Sequence, residues 1–111
     1  MRERAPCVYI LASDRTGTLY IGVTSNLPGR IHQHRCGITK GFVARYGVLT
    51  LVHLEMCDDM PSAIAREKQL KRWHREWKLN LIEQDNPDWH DLAVSVLGFP
   101  PLGHGTPPGG S

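Results

Sequence analysis

Five side chains of this sequence form a set that could break a phosphodiester: the phenols of Tyr9 and Tyr20, the guanidinium of Arg30, the imidazole of His34 and the carboxylate of Glu67. Such a reaction needs a proton acceptor for the attacking water and positive charge for the phosphate oxygens. An Arg spreads negative charge over a planar fork of donors. A His moves a proton near neutral pH. A carboxylate suits Mg²⁺ or Mn²⁺, which bind proteins through one or two carboxylates plus water and substrate phosphate. A phenol, with a pKa of about 10, is a poor base at neutral pH. Nearby positive charge is what would lower it.

The elements that must position these groups are legible from pattern. Cys7 to Leu11 and Leu19 to Val23 read as strands. Asp14-Arg15-Thr16-Gly17 between them carries turn chemistry, so the two strands make a hairpin. Strand alternation puts Tyr9 on a face with Cys7 and Leu11, and Tyr20 with Thr18 and Gly22. A Gly inside a strand often marks a close approach by backbone or ligand. The competing reading makes both tyrosines core aromatics with hydroxyls reaching solvent. Ser25-Asn26-Leu27-Pro28 reads as a helix start, with a polar cap and an early Pro. That helix runs to about Arg35 and ends at Cys36-Gly37. Arg30 and His34, four apart, share one of its faces. His32 and Arg35 dilute the signal, because a surface helix can carry all four.

Ile38 to Gly47 reads as a loop or short helix anchored by Phe42 and Tyr46, and Val48 to Met56 as a third strand. Asp58-Asp59-Met60-Pro61 caps a helix that runs through Lys71 and extends, with a kink or break, to about Gln84. Steps of three and four from Met60 give Ile64, Glu67, Leu70, His74 and Trp77. Glu67 thus sits on a mainly apolar stripe and should point towards the protein body, where a carboxylate needs a partner or a metal. An ion pair with Arg30 or a nearby Lys would satisfy it equally well. Pro87-Asp88-Trp89 opens a last short helix ending near Leu97-Gly98. The order β-β-α-β-α-α predicts an α/β (α+β) fold: one small three-stranded antiparallel sheet flanked by helices. Residues 5–98 make one domain. Residues 99–111, mostly Pro, Gly and small polar residues, make a tail expected to be disordered.

The chain's 111 residues suit one modest core. No apolar run approaches the roughly 18 residues of a membrane span, and no secretory signal follows the charged N-terminus. Three widely spaced cysteines, Cys7, Cys36 and Cys57, argue against a disulfide scaffold and fit a reducing cytoplasm. The net charge of +2 is small, but it is unevenly spread. Six Lys/Arg lie between Arg66 and Lys78 against Glu67 and Glu76. Such a face could meet a phosphate backbone, or could simply be solvated. A zinc site from His32, His34, Cys36, His53 and Cys57 is disfavoured, because the spacing matches no standard finger. Trp73, Trp77 and Trp89 are expected to close a small C-terminal core rather than stack on bases.

Together these segments resemble the GIY-YIG nuclease family. Val8-Tyr9-Ile10 stands at the first motif and Tyr20-Ile21-Gly22 at the second; Asn26 to His34 resembles the Arg-bearing helix, and Arg66-Glu67-Lys68-Gln69-Leu70-Lys71 the Glu-bearing helix. The likeness spans about residues 5 to 90 and is closest to small stand-alone bacterial members. Val-Tyr-Ile departs from the motif, so its register is judged by the Tyr. The resemblance implies a metal-dependent endonuclease acting on DNA, possible roles in repair or recombination, and one divalent ion, Mg²⁺ or Mn²⁺, held by Glu67. It implies that Tyr9 and Tyr20 flank the scissile phosphate, that Arg30 stabilises charge, and that His34 assists proton transfer, with the choice between Tyr9 and His34 as acceptor open. Lys40, Arg45, Lys71, Arg72 and Arg75 are candidate DNA contacts, and Asn80 stands near the place of a further Asn in some relatives. No second DNA-binding domain is visible, so a separate targeting protein is an expected partner. The alternative functions are a non-catalytic nucleic-acid-binding module of the same fold and a protein adaptor using its Trp residues.

Overall fold

The computed structural model describes residues 5–13, 17–35 and 50–99. The turn at Asp14 to Thr16, Cys36, the segment Ile38 to Gly47 with Lys40 and Arg45, and the tail beyond Phe99 lie outside the described residues. The described elements are β1 (Cys7–Ala12), β2 (Leu19–Thr24), α1 (Leu27–Arg35), β3 (Thr50–Met56), α2 (Met60–Arg72), α3 (Arg75–Asp85) and α4 (Leu92–Ser95). The three strands form one antiparallel sheet in the order β2-β1-β3. This is the architecture and element order that the sequence pattern predicts.

β1 is the central strand, and all six of its residues are buried. Its two faces therefore feed two separate cores. Cys7, Tyr9 and Leu11 join Leu27 and Ile31 of α1, Leu51 and Ala93 on one face. Val8, Ile10 and Ala12 join Ile21, Val52, Ala63, Leu70 and Ile82 on the other. So α1 and α4 cover the tyrosine face, while α2 and α3 cover its reverse. Pairing places Tyr9 opposite Gly22 and Leu11 opposite Tyr20, which puts both tyrosines on one face. In β3 the register shifts between Ile10 and Leu11, which pair with His53 and Leu51 and leave Val52 as the extra residue. This bulge resets the alternation, so that Leu51 and Leu54 both reach the tyrosine face.

The helix ends follow their caps. The Asn26 side chain accepts from Gly29 N at 3.3 Å, and Asp59 accepts from Ser62 N at 2.9 Å. The long helical segment breaks at Trp73, whose extended backbone separates α2 from α3. The break corrects the apolar stripe expected from uninterrupted periodicity. The residues of α2 that turn inward are Ala63 and Leu70, while Ile64 and Trp77 are exposed. Trp73 and Trp89 do pack against the reverse core, but Trp77 does not. Asp91, not Pro87, caps the last helix by accepting from Ala93 N. Phe99 packs against the tyrosine-face core, with the Arg35 guanidinium 5.6 Å from its ring centre.

A network ties β3 to α2. Glu55 accepts from Arg66 Nε at 2.8 Å and Nη2 at 3.1 Å, and its carboxylate lies 2.8 Å from His53 Nε2. Arg66 also lies over the Trp73 ring at 5.2 Å. The neighbour of Arg66 is Glu67, so this clamp fixes the helix turn that carries the candidate metal ligand.

Candidate functional site

Tyr9 projects from the middle of β1 across Gly22. A Cβ built at Gly22 would stand 2.5 Å from the Tyr9 hydroxyl and 2.6 Å from Cζ, so only a glycine leaves room for the phenol. The Gly of the second motif is thus a packing requirement of the Tyr in the first. From there the fully buried Tyr9 hydroxyl reaches His34 Nε2 at 3.2 Å. The rings of Tyr9, Tyr20 and His34 form a triangle with centroid separations of 6.3, 6.1 and 5.8 Å. The helical spacing of Arg30 and His34 brings both onto this triangle, and the positive charge of Arg30 acts on the Tyr9 phenol.

Burial, reinforced by the neighbouring Tyr20, pushes the Tyr9 phenol up to about 12, against the opposing pull of Arg30. Burial, and then Arg30, hold His34 below its ordinary value. At neutral pH the phenol therefore keeps its proton and the imidazole is uncharged. His34 Nδ1 is buried and has no hydrogen-bond partner among the described residues. With the ring proton on Nδ1, Nε2 is free to accept from Tyr9.

Arg30 also lines a polar cavity of about 200 Å³ with Thr24, Ser25, Asn26, Gly29 and Gln33. Sequence reasoning used Asn26 only as a cap. Its signal as a site residue was its place one helical turn before Arg30. A second cleft, of about 290 Å³, runs along the open edge of β2 and is lined by Leu19, Tyr20, Ile21, Lys71 and Lys78. Lys78 was not singled out from sequence, because the break at Trp73 decides where its helix face points. Burial, then Arg75, lowers its pKa.

Glu67 stands apart from the four other predicted residues. It belongs to α2, whose Ala63 and Leu70 pack on the reverse core, and its neighbour one turn on, Lys71, lines the cleft at the β2 edge with Tyr20. Lys71 Nζ lies 3.2 Å from Glu67 Oε2, one helical turn away. Among the described residues no group of three or more His, Cys, Asp or Glu converges as a metal site. What Glu67 offers is one carboxylate, 17% exposed, with a displaceable ammonium partner. That donor fits a hard cation whose other ligands are water and phosphate. Arg72 and Arg75 are exposed on α2 and α3, away from the triangle, and Asn80 is exposed on α3. Lys40 and Arg45 lie outside the described residues.

No described helix is long and apolar enough to cross a membrane. The family model described as the GIY-YIG catalytic domain matches residues 5–80. A UPF0213 protein of Syntrophus aciditrophicus is 42% identical over 86 residues, covering 73% of this chain and 92% of that protein. One from Staphylococcus haemolyticus is 32% identical, covering 69% of this chain and 93% of its own. The solution NMR structure of a UPF0213 protein from Bacillus halodurans shares the fold with a TM-score of 0.50 at 24% identity, covering 82% of this chain and 96% of that one. A hairpin carrying two facing tyrosines, an Arg-bearing helix over them and a sequence match across all three strands lead to one assignment: this chain belongs to the GIY-YIG family, a family of nucleases.

Proposed function

We propose that this protein is a metal-dependent endonuclease that hydrolyses phosphodiester bonds in DNA, with residues 5–98 as its nuclease domain. The convergence of Arg30, Tyr20 and His34 on the buried Tyr9 phenol carries this reading. In it, water attacks phosphorus as the P–O bond to the leaving sugar oxygen breaks; the water's proton passes to the Tyr9 oxygen, and the leaving oxygen takes a proton from solvent. The Tyr9 hydroxyl proton passes in the same step to His34 Nε2. This relay spares the enzyme from making a free phenolate, which the buried site disfavours. The acceptor is the neutral imidazole, so the phenol conducts the proton rather than storing it. Arg30 takes the charge that grows on the phosphate oxygens, and the polar cavity beside it accepts the phosphate. Tyr20 orients the phosphate from the open edge of the sheet. Glu67 would hold a single Mg²⁺ or Mn²⁺, which when bound supplies positive charge to the phosphate and the leaving oxygen.

The test is incubation of the protein with duplex, branched and single-stranded DNA in Mg²⁺ or Mn²⁺. The wild type should cleave at least one structure, and Arg30→Ala should lose roughly 10²–10³-fold in rate, the usual cost of removing one charge-stabilising donor. Glu67→Ala should lose activity at every metal concentration. Equal cleavage by wild type and Glu67→Ala would refute the assignment. A second reading, a non-catalytic nucleic-acid-binding module, is favoured by the basic α2–α3 face. It requires salt-sensitive binding with no cleavage of any structure.

A further inference from the structure

The ion pair between Glu67 and Lys71 joins two parts of the surface with different needs. Glu67 is largely covered, whereas the Lys71 side chain is 54% exposed. The ammonium can leave for solvent on its flexible stem while the carboxylate stays in place. An exposed pair one helical turn apart is weak and opens readily. On its other side Lys71 lines the cleft at the β2 edge, where Lys78 reaches in from a different helix. No carboxylate is among the residues lining that cleft. Two ammonium groups beside the Tyr20 ring complement one phosphate, and the cleft lies along the sheet edge from the Tyr9–His34 pair.

We propose that Lys71 is an exchangeable counter-charge: it neutralises Glu67 until a divalent cation binds there, and is then released to grip, with Lys78, a non-scissile DNA phosphate in the cleft. The inference rests on the assignment of the cation to Glu67 in the proposed function. A divalent cation carries twice the charge of the ammonium it replaces and repels it. Cation and DNA then bind cooperatively through one side chain, with no movement of the backbone. Among the described residues no carboxylate pairs with Lys78, so it serves the phosphate whether or not the cation is present.

The test measures DNA binding by the full chain, by fluorescence anisotropy of a labelled oligonucleotide over a salt series. It is run in EDTA and in Ca²⁺, with gels scoring cleavage separately. Each phosphate contact contributes about 0.7–0.9 to the slope of log affinity against log salt. Lys71→Gln should lower the slope by about that amount in Ca²⁺ and leave it unchanged in EDTA. Lys78→Gln should lower it in both. Ca²⁺ should tighten wild-type binding by roughly 5-fold or more, within the usual range of coupling between sites. Lys71→Arg should keep the response. A Lys71→Gln effect that is equal in Ca²⁺ and EDTA, or absent from both, overturns the proposal, as does an unchanged slope for Lys78→Gln. The expected pattern without cleavage defeats the nuclease reading alone, and no DNA binding in either condition defeats both.

Discussion

The Tyr9 hydroxyl meets His34 Nε2 at 3.2 Å in a fully buried position, 25 residues apart in the chain. The contact joins the central strand to the first helix. Its consequences for pH are opposite for the two residues.

For His34 the unfolded chain binds a proton near pH 6.5, while the folded chain resists it because of burial and Arg30. Between the lowered folded value and 6.5 the unfolded state holds more protons, so stability falls as pH falls through that window. Urea unfolding from pH 5 to 8 should show this loss, and His34→Gln should flatten it. An equal slope in the variant would remove His34 as the cause. Cleavage should hold through that window and decline only below the lowered folded value, because the folded imidazole stays neutral and able to accept the Tyr9 proton until then.

Tyr9 titrates the other way. Its phenol ionises near 10 in the unfolded chain and at about 12 in the folded one. Stability tied to the neutral phenol is complete below pH 10 and is lost as pH rises towards 12. Comparing wild type with Tyr9→Phe isolates it from the lysines that titrate nearby. The wild type should lose stability more steeply over that range. Tyr9→Phe should also remove cleavage while keeping DNA binding, since it deletes the conductor of the proton and little volume.

Gly22→Ala tests the space in which that phenol sits. The new methyl would meet the Tyr9 hydroxyl at 2.5 Å, and the ring is enclosed and cannot swing away. Overpacking of this kind costs about 1–3 kcal/mol. Denaturation should report that loss, and cleavage should fall further than the lost stability explains, because the hydroxyl must leave its line to His34. A fully active Gly22→Ala would show that the contact is not needed for catalysis.

The hairpin, the Arg30–His34 face and the three-strand sheet were legible because each follows from a local period: two for strands, near four for the helix pair. The Tyr9–Gly22 contact was only half legible. A strand Gly announced a close approach, but which ring approached depends on register across strands. Glu67 was located correctly as an inward-facing acid on a stripe that shares Leu70 with the buried face. Within α2 it is Ala63 rather than Ile64 that turns inward, and the helix break at Trp73 leaves Trp77 exposed. Lys78 was counted among the basic residues but not placed at the cleft, because that placement depends on the break at Trp73. The two-layer arrangement that sets α2 behind the sheet comes from packing on both faces of a fully buried central strand, which no single segment encodes.

The clamp of Glu55 on Arg66 predicts a second acid-sensitive term and a functional cost. Burial pushes the Glu55 carboxyl up, but hydrogen bonds from Arg66 and His53 outweigh it and hold the group below its ordinary 4.5. Its contribution is present above pH 4.5 and is lost as pH falls through the lowered folded value. Glu55→Gln should cost about 1–2 kcal/mol, discounted from the usual value for charged hydrogen bonds because both partners are partly exposed. Because Arg66 precedes Glu67, the variant should also need more Mg²⁺ for half-maximal cleavage, with the saturated rate less affected. An unchanged metal requirement would limit the clamp to stability.

Asn80 and Asn86 separate a candidate site residue from a structural one. Asn80 is exposed on α3, so Asn80→Ala should change stability by less than about 0.5 kcal/mol. If it is also silent in cleavage, it has no role in the site. Asn86 is buried at the end of α3; its amide donates to Val52 O at 3.1 Å and His90 O at 2.9 Å, and its oxygen accepts from His90 N at 2.9 Å. Those bonds hold the turn in which Trp89 takes a left-handed φ of 57° and its indole donates to Glu83 at 2.7 Å. Asn86→Ala would leave the buried Val52 carbonyl without its partner, at about 1–3 kcal/mol. Thermal unfolding should show that loss, while the rate per folded molecule stays near wild type, because the turn supports the core behind the sheet and not the tyrosine face.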